Sequence, residues 1–415
     1  MFFKRLLLAL SLALCLAPVS AFADGFAVVE WSAGGVGMGE AYMFADHDPA
    51  LLAYNPAGIT RLKGSYVGGG MTYINPRGRV DFSGGIGNGE TWSNREAPGF
   101  VPNLFFTRQA SETVTWGIGF FTRFGNSSEY DESFPGRFNN YKAKITSLSA
   151  APTVAWQVTP KLSLSLGAEI MYMALDAREK IGVPSLAELD FHLDGDGFGY
   201  GWNVGLNYDF NEKTSFAAVY RSRIDMELKG DAKTTIQTVS GLGEVTLPDS
   251  LTVGLGHKLN DRTRVEIGAT HTWWSTYDRL TIDFTPSIHV PLGPGISIPQ
   301  QSTRKDWENS WRFQAGVEHR MDDRWTIMFG YAYDNTPIPD DTIDFMVPTG
   351  DRQTVSVGFK HHRKNAVWTF AYGFMWIDDR VIPGVENGAN SYFGSASVRD
   401  STAHIISIGY TVKLN

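Results

Sequence analysis

Apolar and polar residues alternate along most of this chain. Leu162, Leu164, Leu166, Ala168, Ile170 and Tyr172 share one parity, and Ser163, Ser165, Gly167 and Glu169 hold the other. Trp325, Ile327, Phe329 and Tyr331 repeat the pattern, as do Val355, Val357 and Phe359, and finally Ile406, Ile408, Tyr410, Val412 and Leu414. Successive strand side chains project to opposite faces, so each stretch predicts a β-strand with one apolar and one small or polar face. The alternating stretches run about 9–12 residues, the length that crosses a bilayer at a tilt. Six short polar turns, at 108–113, 157–161, 211–213, 260–263, 320–324 and 361–365, separate pairs of such stretches. Longer connections, including 176–200, 225–246, 276–310 and 379–400, lie between the turns. A secreted β-sandwich or propeller would also alternate. Segment length and the short-turn, long-loop asymmetry favour an outer-membrane barrel, apolar face to lipid and polar face inward. Six turns delimit seven strand pairs, which predicts a 14-stranded antiparallel outer-membrane β-barrel with both ends on the periplasmic, short-turn side. Closure leaves no unpaired edge in lipid. Trp273-Trp274, Trp307 with Trp311, and Trp368 with Trp376 are read as interfacial aromatics. The last stretch, with Ser407, Gly409, Val412 and Leu414, has the form expected of a signal for the barrel assembly machinery, although it ends in Asn415 where many such proteins end in Phe.

The start of the chain follows another pattern. Lys4 and Arg5 precede the apolar run 6–16, and Ala21-Phe22-Ala23 forms a small-x-small site, so residues 1–23 read as a cleaved signal peptide. The run is too short for a membrane helix. Cys15 sits inside it after Leu14, which does not suit lipidation, so the processed chain holds no cysteine. Composition then excludes several classes. With 43% apolar and 13% aromatic residues the chain is not disordered. With 44 acidic against 36 basic residues and no basic run, it is not a nucleic-acid binder. It lacks the cysteines for a disulfide scaffold or a Cys-based metal site. The apolar content is assigned largely to a lipid-facing band. Asp194-Gly195-Asp196-Gly197 opens like a calcium loop without the later ligands, and His361-His362 has no carboxylate or Cys company, so neither metal nor cofactor is expected.

Residues 24–64 do not alternate. They contain Ser32-Ala33-Gly34-Gly35-Val36-Gly37-Met38-Gly39 and Asn55-Pro56-Ala57. The composition suits either a plug inside the barrel of residues 65–415 or a periplasmic tail. Gly25-Phe26, the Ser32 to Gly39 stretch, Ala45-Asp46 and Asn55-Pro56-Ala57 closely resemble the N-terminal hatch of the FadL family, outer-membrane transporters of long-chain fatty acids and hydrophobic aromatic compounds. Phe198-Gly199-Tyr200-Gly201-Trp202-Asn203, Tyr220-Arg221-Ser222, Leu247-Pro248 and Asp334-Asn335-Thr336-Pro337-Ile338-Pro339 extend the resemblance over nearly the whole processed chain, the Asn-Pro-Ala triplet being its most specific part.

The resemblance implies a 14-stranded barrel with an N-terminal hatch in its lumen. It implies passive transport by loop capture, lumen binding, hatch rearrangement and lateral exit through a kinked third strand. The kink falls at Phe124-Gly125-Asn126, where glycine permits a bulge; the other reading has Gly125 begin the second long loop. Phe26, Val28, Val29, Val36 and Met38 are candidates to face a hydrophobic ligand, or else to pack inside the barrel. Arg178, Lys180, Arg304 and Lys305 are the headgroup candidates, and a gap-free comparison sets Glu179 and Glu308 at the family's basic positions, which leaves room for an uncharged ligand. Expected partners are a fatty acid or aromatic hydrocarbon, membrane lipid and lipopolysaccharide, and the assembly machinery, with the barrel monomeric. Two alternatives remain. A lipid-modifying enzyme would need a nucleophile and its base, yet no Gly-x-Ser-x-Gly motif accompanies His257, His271 and His404. A general porin or adhesin needs no plug.

Overall fold

The computed structural model describes residues 25–95, 98–183, 187–290, 296–384 and 392–414; the signal peptide predicted at 1–23 lies outside them. The barrel strands are β1 (Ser65–Gly85), β2 (Gly99–Gln109), β3 (Val114–Phe121 and Gly125–Glu129), β4 (Lys142–Thr159), β5 (Leu162–Val183), β6 (Ala187–Asp209) and β7 (Thr214–Arg221 and Ile224–Thr234). They continue with β8 (Thr238–Leu247 and Ser250–Asn260), β9 (Thr263–Thr272 and Arg279–Val290), β10 (Ile296–Arg304 and Ser310–Arg320), β11 (Trp325–Asp334), β12 (Arg352–His362), β13 (Ala366–Ile377) and β14 (Phe393–Leu414). Each pairs antiparallel with its sequence neighbour, and Ser65↔Leu414 through Gly85↔Phe393 joins β1 to β14, closing 14 strands into a ring. All six predicted short turns join the strands expected.

The long connections differ from expectation. Most of 176–200, 225–246 and 276–310 is strand, and β14 begins inside 379–400. The barrel therefore rises well beyond the bilayer. The physical reason lies in β5, where even-numbered Leu164, Leu166, Ile170 and Tyr172 are exposed outward. The odd, inward positions change from Ser163, Ser165 and Glu169 to Met171, Met173 and Ala177 along the strand. Above the bilayer the outer face is wetted and the inner face is apolar, so the alternation that marks a lipid-facing strand is lost without loss of the strand.

The apolar content thus serves two purposes. Part faces lipid, as Phe198, Tyr200, Trp202, Phe313 and Ile406 do. Part forms an interior core with Phe82, Phe124, Phe134, Trp274, Trp307 and Phe345. Trp274 and Trp307 are therefore not interfacial: β9 and β10 break at 273–278 and 305–309, and both rings turn into the lumen. Trp311 and Trp368 stay on the outer surface.

The segment before β1 lies inside the ring and is almost wholly buried. It forms short helices at Ala33–Gly37 and Leu51–Tyr54 and a 3-10 turn at Pro56–Arg61. Irregular backbone at membrane depth is tolerated only where protein surrounds it, and the polar lower lumen supplies the partners. Glu266 of β9 accepts from Met43 N at 2.8 Å and Phe44 N at 3.3 Å. Arg264 bonds to the Phe44 carbonyl and pairs with Glu266 at 2.9 Å. Asn55, fully buried, accepts from Gly58 N at 3.2 Å and donates to Met43 O at 2.8 Å and Asn207 Oδ1 at 3.0 Å. Contact with the wall is close enough to require glycine. A Cβ on Gly330 of β11 would stand 1.9 Å from Gly39 N, where Gly39 itself has φ +59°. The barrel begins and ends at the short-turn rim, but the N-terminal segment runs up the lumen, so Gly25 stands beside Trp274, Trp307 and Pro337 rather than at that rim.

Candidate functional site

The barrel wall is interrupted at one place on β3. The β2–β3 ladder runs from Gln109↔Thr115 to Leu104↔Phe120 and stops, so Gly99–Asn103 pair with β1 alone among the described residues. On the other side, the ladder to β4 stops at Phe121↔Ser149 and resumes one residue out of register at Gly125↔Thr146. Between these points side chains replace the ladder. Thr122 Oγ1 donates to Ser147 O at 2.9 Å, Phe124 N donates to Ser147 Oγ at 3.2 Å, and Ser147 Oγ donates to Phe124 O at 2.6 Å.

The luminal segment occupies the vacated edge. Val28 N donates to Arg123 O at 2.8 Å, Gly125 N to Phe26 O at 2.9 Å, and Trp31 Nε1 to Thr122 O at 2.6 Å. Ala27 and Phe124 form an antiparallel bridge. The interruption therefore covers Thr122–Phe124, two residues before the span expected from sequence, and the strand has already resumed at Gly125 and Asn126. Hydroxyl groups rather than glycine make the bulge. Gly125 instead admits the segment, since a Cβ there would lie 3.3 Å from Val28 Cγ2.

Two of the cavities among the described residues lie along the lumen above its short-turn mouth. The inner one, of about 60 Å³, adjoins the interruption and is lined by Val28, Val29, Trp31, Arg123 and Phe124 together with Glu40, Arg221 and Arg312. The outer one, of about 80 Å³, has Arg178, Glu179, Gln301, Lys305 and Asp344 on an apolar lining of Phe191, Leu193, Ile282 and Met346. Lys305 is buried and ion-paired with Asp344. Gln301 donates to Glu179 at 3.1 Å. Glu179 lies on β5 beyond the lipid-facing Tyr172, outside the bilayer, and burial pushes its carboxyl up to about 8.

Of the hatch candidates, Val28 and Val29 face the inner cavity. Phe26 packs edge-on against Phe124, Trp274, Tyr277 and Trp307. Val36 packs among Ala371, Met375, Ala403 and Ile405, and Met38 against Gly316, so both serve packing against the wall. Of the basic candidates, Arg178 and Lys305 share the outer cavity. Lys180 pairs with Asp190 on β6, and Arg304 with Asp306 and Asp341 at the surface, so neither joins them. Asn55, Pro56 and Ala57 lie against β5 and β6, with Pro56 beside Gly205.

Sequence reasoning passed over the inner charges: Arg123, Glu169, Arg221, Arg312 and Asp334. A signal existed. Each is an ionisable residue in or beside a membrane-crossing strand, where such groups are rare and face the interior.

The chain matches the family model described as outer membrane protein transport protein (OMPP1/FadL/TodX) over residues 14–414. It is 22% identical over 405 residues to the long-chain fatty acid transport protein of Escherichia coli K12, covering 84% of this chain and 87% of that protein. Its fold is similar to that of a Pseudomonas aeruginosa FadL homologue, with a TM-score of 0.84 at 18% identity over 94% of this chain and all of the other. It is also similar to the Pseudomonas putida toluene transporter TodX, with a TM-score of 0.69 at 18% identity over 93% of this chain and 99% of that one. It is an outer-membrane transport protein and not an enzyme. A match that spans nearly the whole chain, on a closed barrel of this kind, places the protein in the OMPP1/FadL/TodX family.

Proposed function

We propose that this chain carries hydrophobic small molecules, long-chain fatty acids or aromatic hydrocarbons, passively across the outer membrane. The cargo classes rest on the names of the relatives, a fatty-acid transport protein and a toluene transporter. The observation that carries the mechanism is the interrupted wall at Thr122–Phe124, beside a lumen cavity, where Ser147 and the N-terminal segment replace the strand ladder.

The route follows the lumen's polarity. The apolar upper interior takes the cargo from the extracellular strands, where each buried CH₂ contributes about 0.8 kcal/mol. Arg178 and Lys305 stand in the outer cavity, where a polar headgroup would rest. The cargo then passes Phe26 toward the inner cavity. At about 60 Å³ that cavity holds only a few waters, so residues 24–64, acting as a hatch, must shift for a chain or ring to pass. Exit is sideways between β2 and β3, into the bilayer, so the apolar cargo never enters periplasmic water. The protein works as a monomer, bypasses the lipopolysaccharide leaflet, and is inserted by the assembly machinery through its last strand.

The test is uptake of labelled oleate and toluene by cells with and without the gene. Equal uptake of both compounds sinks the reading. A porin reading is disfavoured by the filled lumen, and a large steady conductance in planar bilayers would favour it instead.

A further inference from the structure

Arg221 ends the lower part of β7 and lines the inner cavity. Its side chain is only 4% exposed. One end of the guanidinium is fixed: Nη2 donates to Ala53 O at 2.6 Å, and the plane lies near the rings of Trp31 and Phe121, 5.6 and 5.4 Å from their centroids. The other end, Nη1, has no hydrogen-bond partner. Its nearest carboxylate is Glu169, at 4.0 Å.

Glu169 is already engaged. It takes Arg123 Nη1 at 3.0 Å and Ser149 Oγ at 2.7 Å. Two guanidiniums thus share one carboxylate, all three side chains being almost fully buried. Arg312, also on the cavity wall, is neutralised by Asp334 at 2.7 Å. Glu40 lines the cavity too, but its carboxyl is engaged by Tyr54 Oη, from which it accepts at 2.7 Å. The Arg123–Glu169–Arg221 unit therefore carries one positive charge in excess beside the interrupted wall. A buried charge without a partner is costly, and a carboxylate is its complement.

We propose that the inner cavity is a carboxylate subsite, in which Arg221 Nη1 takes the headgroup of an anionic amphiphile, such as a fatty acid, before lateral exit. This rests on the transport reading and narrows it. A neutral hydrocarbon would leave Nη1 unsatisfied, whereas a fatty acid would complete the two-arginine unit. The subsite differs from the outer cavity, where the buried cation Lys305 already has Asp344.

The test compares laurate with dodecanol, which share a tail and differ in charge. Labelled uptake is measured in cells carrying wild type, Arg221→Met or Glu169→Gln, scoring only barrels whose heat-modifiable gel mobility shows them folded. Arg221→Met removes the cation but leaves the neutral Arg123–Glu169 pair. It should lower the laurate-to-dodecanol ratio about tenfold, the effect expected of a charge-assisted hydrogen bond. Loss of the hatch contact to Ala53 affects both cargoes and cancels in the ratio. Glu169→Gln removes the competing carboxylate and should raise the ratio. A ratio within twofold of wild type in Arg221→Met, or an unchanged or lowered ratio in Glu169→Gln, overturns the subsite while leaving transport intact. A wild type that takes up neither compound overturns both.

Discussion

Locking the N-terminal segment to the kink tests the exit route most directly. The substitution pair is Val28→Cys with Gly125→Cys. A Cβ built on Gly125 lies 3.3 Å from Val28 Cγ2, which brings the two Cβ atoms within a bond length of the roughly 3.5–4.5 Å spacing of a disulfide. The nearest backbone atom to that Cβ is Ile145 O at 3.6 Å, so the new side chain meets no clash. The only cysteine of the sequence, Cys15, falls in the predicted leader, so no other thiol competes in the processed chain. In the unlinked protein three hydrogen bonds hold the segment to Thr122–Gly125. At about 1 kcal/mol net each, they sum to about 3 kcal/mol, an open fraction on the order of 1%. The crosslink removes that fraction. Uptake of labelled fatty acid by oxidised cells should fall to the level of cells lacking the gene, and a reductant should restore it. Crosslinking is read from gel mobility. Undiminished uptake by fully crosslinked barrels would refute exit past the kink.

Three further outcomes follow from the packing. Gly330→Ala sets a Cβ against Gly39 N and Met38 C, backbone on both sides, so it should cost about 1–3 kcal/mol and expose the luminal segment to trypsin; a wild-type digestion pattern would contradict the close approach. Asn55→Ala removes three hydrogen bonds from a fully buried site and should destabilise by about 2–3 kcal/mol, read as a lower urea midpoint in lipid vesicles. Glu179, raised to about 8 by burial and Asp344, keeps its proton in the folded barrel after the unfolded chain has lost it. Its contribution is full below the ordinary value of 4.5 and is lost as pH rises through 8. The wild-type midpoint should therefore fall across that window relative to Glu179→Gln, and parallel pH curves would refute the burial argument.

The strand pattern, the six turns and the count of 14 were legible because lipid imposes a two-residue period on every crossing strand. Leu164, Leu166 and Ile170 had to share a face whatever the rest of the chain did. The Asn-Pro-Ala motif and the absence of alternation likewise marked the N-terminal segment. The upper strands were misjudged as loops for the same reason inverted: beyond the bilayer nothing requires an apolar outer face. Trp274 and Trp307 show the ambiguity of aromatic content, because a ring at a strand end serves an interface or a core equally well by composition.

The placement of Val28 against Gly125, the exclusion of Lys180 and Arg304 from the outer cavity, and the gathering of Arg123, Glu169 and Arg221 came only with the closed ring. Glu169 is 46 residues from Arg123 and 52 from Arg221 in the chain. Local sequence determines which face of a strand a side chain occupies, since that depends on parity alone. Which side chains meet across the lumen depends on the number of strands, their register and the path of the segment inside, and those are settled by closure of the whole barrel.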